Sequence, residues 1–158
     1  MIFDLFLVLI LVLLNAFFVA AEFAIVKVRE SQIEIKAQSG NPLAKISKGI
    51  LKNLNAYLSA TQLGITLASL ALGWVGEEAA SQLVQRLFHS MGLDMTSQTI
   101  NGIAIAIAFI MITTLHIVLG EQVPKTLAIS SPEKATYFVT LPLRAFYVIF
   151  RPLIWVLN

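Results

Sequence analysis

Residues 119–125 read Leu-Gly-Glu-Gln-Val-Pro-Lys and close a long apolar run. A carboxylate at this depth indicates a functional site, because a charge is costly inside hydrocarbon. Pro124 has no N–H to donate to the carbonyl four residues earlier, which is that of Gly120. A carbonyl oxygen freed beside the Glu121 carboxylate can coordinate a hard cation. The alternative is an ordinary helix end, in which Glu121 and Lys125 pair at i and i+4 and Pro124 stops the helix.

The composition of the chain is that of a membrane protein. Of its 158 residues, 58% are apolar and 13% are charged, and the mean hydropathy is +0.83, whereas about a quarter of the residues of a soluble domain are charged. The sequence has no cysteine and only two histidines, so any metal is expected to be held by oxygen. A formal charge of +2 without a basic, aromatic-interleaved stripe argues against nucleic-acid binding.

Apolar and charged runs divide the chain into an all-α integral membrane domain. We predict transmembrane helices at about residues 2–27, 54–76 and 101–121, each long enough to cross ~30 Å of hydrocarbon. The Lys-rich loop 27–52 is cytoplasmic by the positive-inside rule, which places the N-terminus outside. Within residues 28–53 we expect two short surface helices, split by a turn at 39–42. Residues 77–100 form an outside segment with an amphipathic helix at 78–89.

The last segment, at about residues 132–158, is apolar but interrupted. Pro142, Arg144, Arg151 and Pro152 fall inside it. Four such interruptions predict a broken, re-entrant helical segment that enters from the cytoplasmic side and returns there. Because the chain then ends without a polar tail, we expect it to be the membrane part of a longer protein.

Polar residues recur at helical spacing in all three predicted spans. Asn15 and Glu22 lie two turns apart on one face of the first span. Thr114, Glu121 and Lys125 share a face of the third span, and His116 lies off that face as a packing histidine. The second span carries a polar stripe that either lines a cavity or packs against another helix: Asn55, Ser59, Gln62, Thr66, Ser69 and Gly73. Beside it runs a track of small residues suited to close helix contact, namely Ala60, Gly64 and Ala68.

If the three spans alternate in direction, Glu22, residues 55–62 and Glu121 lie toward the same cytoplasmic side. Carboxylates, hydroxyls, amides and a freed carbonyl would then form an oxygen-only site for Mg²⁺ or Na⁺. Two close carboxylates repel each other unless a cation is present, and Lys125 relieves this repulsion when the metal is absent. The sequence has no nucleophile elbow, phosphate-binding glycine loop or HExxH motif, so we do not expect an enzyme.

Three motifs of this chain also carry a resemblance. Residues 15–24 (NAFFVAAEFA), 58–66 (LSATQLGIT) and 120–125 (GEQVPK) resemble, in this order, the membrane domain of the CorC and cyclin M family of magnesium transporters. This resemblance implies a homodimer with three crossing helices and a re-entrant segment in each protomer, and Mg²⁺ bound in an inward-facing cavity. It implies Mg²⁺ export coupled to Na⁺ entry, with ATP acting only through cytosolic CBS modules, which this chain lacks.

The residues and the resemblance together give a predicted site. The expected metal ligands are Glu22, Ser59, Thr61, Gln62, Gly120 and Glu121, supported by Asn15, Thr66, Thr114, Pro124 and Lys125. Val19 and Ala20 depart from the serine and glycine that cyclin M members have before the first-span glutamate, and those members have asparagines near Thr61. The predicted location is the plasma (bacterial inner) membrane. An alternative function is an ion-sensing membrane anchor that regulates cytosolic domains without transport.

Overall fold

The computed structural model describes residues 2–92 and 98–157, and every regular element within them is helical. In chain order these are α1 (Ile2–Lys27), α2 (Glu30–Gln38), α3 (Pro42–Lys52), α4 (Leu54–Ser90), α5 (Gln98–Leu115), a π-helix (His116–Gln122), α6 (Val123–Ser130) and α7 (Pro132–Leu157). The all-α prediction is confirmed.

Four helical stretches are long and apolar enough to cross a membrane: Phe3–Lys27, Leu54–Ser90, Asn101–Ser130 and Pro132–Val156. Large apolar side chains cover their outer surfaces; Trp74 is 84% exposed and Trp155 is 79% exposed. A protein with such a surface would aggregate in water, whereas the surface is stable in contact with hydrocarbon. The chain is therefore a membrane protein, as its composition predicts.

Helices α1 and α4 form the centre of the bundle and run antiparallel. Leu11 and Val12 of α1 pack on Leu72 of α4. Further along α1, Phe18 faces Gly64, which comes earlier in α4. The small-residue track of α4 is buried by this contact, since Ala60 and Ala68 are 0% and 1% exposed. That track therefore serves packing within one chain.

Helix α4 is longer than predicted. We expected a span ending near residue 76, followed by a separate outside segment, but the helix continues without a break to Ser90. Gly76 does not end it, because the glycine makes room for α5: a Cβ there would lie 2.8 Å from Cγ1 of Ile112. Beyond it, Ala80 and Val84 continue the buried face against Ala104 and Ala108. The helix expected at 78–89 is present as part of α4, and residues 93–97 of the expected outside segment lie outside the described residues.

The third predicted span also continues past its expected end. The helical path runs through the π-helix and α6 to Ser130, so Pro124 does not stop it. Pro124 lies in the first turn of α6, where the fixed φ of proline suits a helix.

Helix α7 is unbroken, so the predicted interruption of the helix at its prolines is wrong. Pro142 and Pro152 both lie on the exposed side of α7. The opposite side is held by packing, because Val139 and Leu143 are fully buried in a core cluster with Ile25 of α1 and other residues. Packing of one face keeps the helix together although each proline removes one hydrogen bond. Whether α7 crosses the membrane or re-enters it stays a prediction.

The two short helices predicted between residues 28 and 53 are present as α2 and α3. Gly40, with φ +96°, makes the turn between them, and the Asn41 side chain accepts a hydrogen bond from the N–H of Ala44 at 3.1 Å, which caps α3. Lys48 of α3 pairs with Glu34 of α2 at 2.6 Å.

Both short helices are attached to α7. Lys36 of α2 forms an ion pair with Glu133, and Ser47 of α3 shares a hydrogen bond of 2.7 Å with Thr140. Ser47 and Thr140 are fully buried. The Lys-rich segment is therefore a fixed part of the bundle.

We predict that Gly64→Ala destabilises the chain by about 1–3 kcal/mol, the usual cost of overpacking a core. The new Cβ would lie 2.5 Å from the Phe18 ring, which is 3% exposed and packed edge-on against Phe146. Denaturant unfolding in detergent measures the change. Gly73→Ala on the same helix is the control, because its Cβ would meet nothing within 4 Å. Equal stability of the two variants would contradict the packing described.

Acid is expected to weaken the contact between α2 and α3. Hydrogen bonding to Lys48, helped by Gln38, lowers the pKa of the Glu34 carboxyl below its usual value of 4.5. A lowered folded-state pKa stabilises the fold above the unfolded value, and this contribution is lost as the pH falls through the folded-state pKa. Glu34→Gln should thus lower the unfolding midpoint at neutral pH but not at acid pH. Glu30→Gln, at an exposed position of α2, is the control and should leave the unfolding midpoint unchanged at both neutral and acid pH. If the Glu34→Gln variant still unfolds at a lower midpoint in acid, the explanation is ruled out.

The Lys36 pair is expected to be lost in strong base. Hydrogen bonding to Glu133 raises the pKa of the Lys36 ammonium above its usual 10.5, so its contribution is present below that pH and is lost only as the pH rises through the raised value.

Candidate cation site

The π-helix sets the geometry around Glu121. Residues five apart are hydrogen-bonded neighbours in a π-helix, whereas in an α-helix of 3.6 residues per turn they point about 140° apart. His116 and Glu121 are five apart, and Nε2 of His116 lies 3.7 Å from Oε1 of Glu121. The prediction that His116 lies off the face of Glu121 is therefore wrong, because it assumed α-helical spacing throughout.

The carbonyl of Gly120 has a partner from another helix. Nδ2 of Asn15 donates a hydrogen bond to this oxygen at 3.1 Å, and Asn15 is fully buried. Pro124, the residue without an N–H four positions later, is also buried. The sequence therefore identified both the Gly120 carbonyl and Asn15 as parts of the site, but it did not predict the hydrogen bond between them.

Gly120 is the residue that allows this close approach. A Cβ at this position would lie 2.8 Å from Cδ2 of His116 and 3.2 Å from Nδ2 of Asn15. Any larger residue would push apart the imidazole and the amide.

Ser69 connects α4 to the same group. Its hydroxyl donates to Oδ1 of Asn15 at 3.1 Å and lies 3.4 Å from Nε2 of His116. We call these five residues the polar junction: Asn15, Ser69, His116, Gly120 and Glu121. It joins α1, α4 and the π-helix. Ser69 belongs to the predicted polar stripe but was not among the predicted site residues. His116 could have been recognised as a neighbour of Glu121 only if a π-helix had been expected.

The remaining predicted ligands lie nearer the Lys-rich end of the bundle. Glu22 follows Asn15 by two turns of α1, about 10 Å, and is partly buried. On α4, the hydroxyl of the buried Thr61 donates to the carbonyl of Leu58 at 2.8 Å, and the Ser59 hydroxyl donates to the carbonyl of Asn55 at 3.2 Å.

Three predicted residues face outward in a single chain. Gln62 and Thr66 are exposed on α4, where the Thr66 hydroxyl donates to the Gln62 carbonyl at 2.8 Å. Thr114 is exposed on α5, and its hydroxyl donates to the carbonyl of Ile110 at 2.8 Å. Because the π-helix intervenes, Thr114 does not share the surroundings of Glu121.

Lys125 contacts α1 and not the residue one turn before it. Its ammonium lies 4.7 Å from the ring centroid of Phe23, a cation–π contact. Glu121 faces His116 instead. The i, i+4 pair of an ordinary helix end is therefore not formed, since the π-helix turns the two side chains toward different neighbours.

Comparison with known proteins finds one family of membrane domains that matches nearly the whole chain. Residues 6–158 match the family described as the cyclin M transmembrane N-terminal domain. The chain belongs to this family. Two similar proteins of Bacillus subtilis (strain 168) are the UPF0053 protein YhdT, 46% identical over 94% of this chain and 32% of that protein, and the UPF0053 protein YrkA, 45% identical over 94% of this chain and 34% of that protein. The UPF0053 protein sll0260 of Synechocystis is 32% identical over 98% of this chain and 34% of its own length.

This cyclin M transmembrane domain thus spans about a third of the length of those relatives. The family is associated with Mg²⁺ transport and is not a known enzyme family. The resemblance noted in the sequence is therefore confirmed at the level of the family.

The possible ligand atoms of the polar junction and the predicted site are oxygens and the imidazole of His116. Among residues 2–92 and 98–157, no three His, Cys, Asp or Glu side chains lie close enough together to hold a metal ion. A cation held by these residues would take one or two carboxylates, supplemented by hydroxyl, amide and carbonyl oxygens and by water. Mg²⁺ suits such a site, because it is usually bound through one or two carboxylates and keeps several waters.

Asn15→Leu is expected to cost about 1–3 kcal/mol of stability, because it leaves the buried Gly120 carbonyl without its partner. Denaturant unfolding in detergent tests this, with Asn55→Leu at an exposed position of α4 as the control. A double-mutant cycle with Ser69→Ala should give a coupling of about 0.6 kcal/mol and at most about 1.7, the range for hydrogen bonds between membrane helices. A coupling of zero would show that Ser69 and Asn15 do not interact.

Proposed function

We propose that this domain binds Mg²⁺ between α1, α4 and the π-helix and exports it across the membrane. The observation that carries the proposal is the hydrogen bond from Asn15 to the Gly120 carbonyl. It joins two predicted motifs, 105 residues apart in sequence, at a buried polar centre beside Glu121 in an otherwise apolar bundle. A polar centre of this kind inside a membrane protein is typical of an ion pathway.

The hydrogen bonds of the apparent ligands do not exclude a cation. A carbonyl oxygen has two lone pairs, so Gly120 can accept from Asn15 with one and face a cation with the other. The hydroxyl of Thr61 donates its proton to a carbonyl of its own helix, and a hydroxyl oxygen that donates in this way can still accept a cation through a lone pair.

The proposed path has two levels. Mg²⁺ enters from the Lys-rich, cytoplasmic end, where the partly buried Glu22 with Ser59, Thr61 and Gln62 replaces some of its waters. It then reaches Glu121 and the Gly120 carbonyl at the polar junction. Glu22, Ser59 and Glu121 are partly exposed, which suits a cation that keeps several waters. When the ion leaves, the ammonium of Lys125, which lies beside Phe23, offsets the charge of the two carboxylates.

The wider arrangement is also part of the proposal. The domain lies in the plasma membrane with its N-terminus outside and residues 27–52 in the cytoplasm, and it works as a homodimer. Export of Mg²⁺ is coupled to entry of Na⁺, and ATP acts only through CBS modules outside these 158 residues.

A second function, an ion-sensing anchor, is favoured by one observation. The short helices α2 and α3 are tied to α7 through Lys36 and Glu133 and through Ser47 and Thr140. A change in the bundle on binding an ion would therefore reach the Lys-rich surface without any ion crossing. The sensor predicts a change in dimer structure on adding Mg²⁺, with no flux.

The test is Mg²⁺ flux into or out of liposomes containing the chain. Glu22→Gln and Glu121→Gln should each lower flux and Mg²⁺ affinity by about tenfold or more, since even outer-shell partners of a metal site contribute 10–100-fold to affinity. Glu78→Gln, an exposed position of α4, is the control and should leave flux unchanged. Flux that survives both substitutions would refute the proposed site, and Mg²⁺ binding without flux in the unmodified chain would support the sensor.

A further inference from the structure

A cavity of about 100 Å³ lies between α4 and α5, on the side of the polar junction away from the Lys-rich end. Its polar lining consists of Ser69, Glu77, Thr113 and His116. A water molecule needs roughly 10–15 Å³ of such space, so the cavity has room for several waters. It is therefore large enough for a cation with part of its hydration shell.

The cavity shares residues with the polar junction. Ser69 and His116 line it and at the same time contact Asn15 and Glu121. From Ser69, the lining runs along one face of α4 through Gly73 to Glu77, two turns or about 12 Å in total. The cavity therefore extends from the junction along α4 toward the end of the bundle opposite the Lys-rich helices.

We infer that this cavity is a second, weaker site for a hydrated divalent cation, placed on the outer side of the polar junction with Glu77 as its one carboxylate. The inference rests on the proposed function and on the predicted orientation of the chain. One carboxylate, two hydroxyls and an imidazole converge there, with apolar walls that include Leu72 and Ile112.

The chemistry of the lining fits an exit site. Ion conduction requires sites that bind strongly enough for the ion to enter and weakly enough for it to leave. The inner part of the proposed path has the carboxylates of Glu22 and Glu121, one at each of its two levels, and a backbone carbonyl, whereas the outer cavity has one carboxylate that is exposed. A cation moving outward would thus pass from a strongly acidic site to a less acidic one before reaching water.

The first test compares two adjacent glutamates of α4. Glu77 lines the cavity, whereas Glu78 points elsewhere on the same turn. In liposomes, Glu77→Gln should lower Mg²⁺ flux about three- to tenfold, the effect of one charge contact in a partly aqueous space, with Mg²⁺ affinity at the inner site unchanged. Glu78→Gln should behave like the unmodified chain. Equal flux in the two variants would overturn the inference, as would loss of inner-site affinity in Glu77→Gln.

The second test uses the absence of cysteine from the sequence. Gly73→Cys introduces a thiol into the cavity lining, where a Cβ meets nothing within 4 Å. A membrane-impermeant thiol reagent added outside should modify it, and external Mg²⁺ should slow the reaction. Glu78→Cys should react from the same side without protection by Mg²⁺. Modification only from the Lys-rich side, or no protection by Mg²⁺, would overturn the inference.

The two tests separate this inference from the proposed function. If the unmodified chain carries no Mg²⁺ flux, the proposed function fails. If it does carry flux and Glu77→Gln equals Glu78→Gln, only the outer site fails.

Discussion

A backbone carbonyl inside an apolar bundle must find a hydrogen-bond donor, because no water is there to supply one. In this chain the Gly120 carbonyl is bonded by the amide of Asn15, a residue of a different helix. The amide in turn accepts from Ser69, so that three helical segments meet at one side chain. The position of Glu121, and with it the polar centre of the bundle, depends on this contact.

The π-helix explains how the contact is reached without ending the helix. Its wider turn brings His116 beside Glu121 and places Pro124 in the first turn of α6, and the carbonyl four residues before this proline is bonded by Asn15. Glycine at position 120 lets Asn15 and His116 approach the backbone. The helix therefore continues to Ser130, and Lys125 reaches Phe23 of α1.

The polar junction divides the bundle into two unequal halves. Toward the Lys-rich end lie Glu22 and the hydroxyls of Ser59 and Thr61, and toward the other end lies the smaller cavity that Glu77 lines. A junction of side-chain hydrogen bonds can rearrange at lower cost than a packed apolar core, since donors and acceptors can exchange partners. This asymmetry supports the proposed ion pathway.

The sequence by itself determined the membrane class, the helical spans and most of the polar positions, because hydropathy and helical spacing depend only on local order along the chain. It also identified Asn15 and Glu121 through the cost of polar groups in hydrocarbon, and the Gly120 carbonyl through the missing N–H of Pro124. The tertiary structure alone decided that α4 continues past Gly76, since that glycine is a contact for Ile112 and not a turn. It likewise decided that α7 is continuous through Pro142, where packing of the opposite face outweighs one lost hydrogen bond. The contact between His116 and Glu121 also needed the tertiary structure. A π-helix changes which residues share a face, and no local sequence pattern predicted it here.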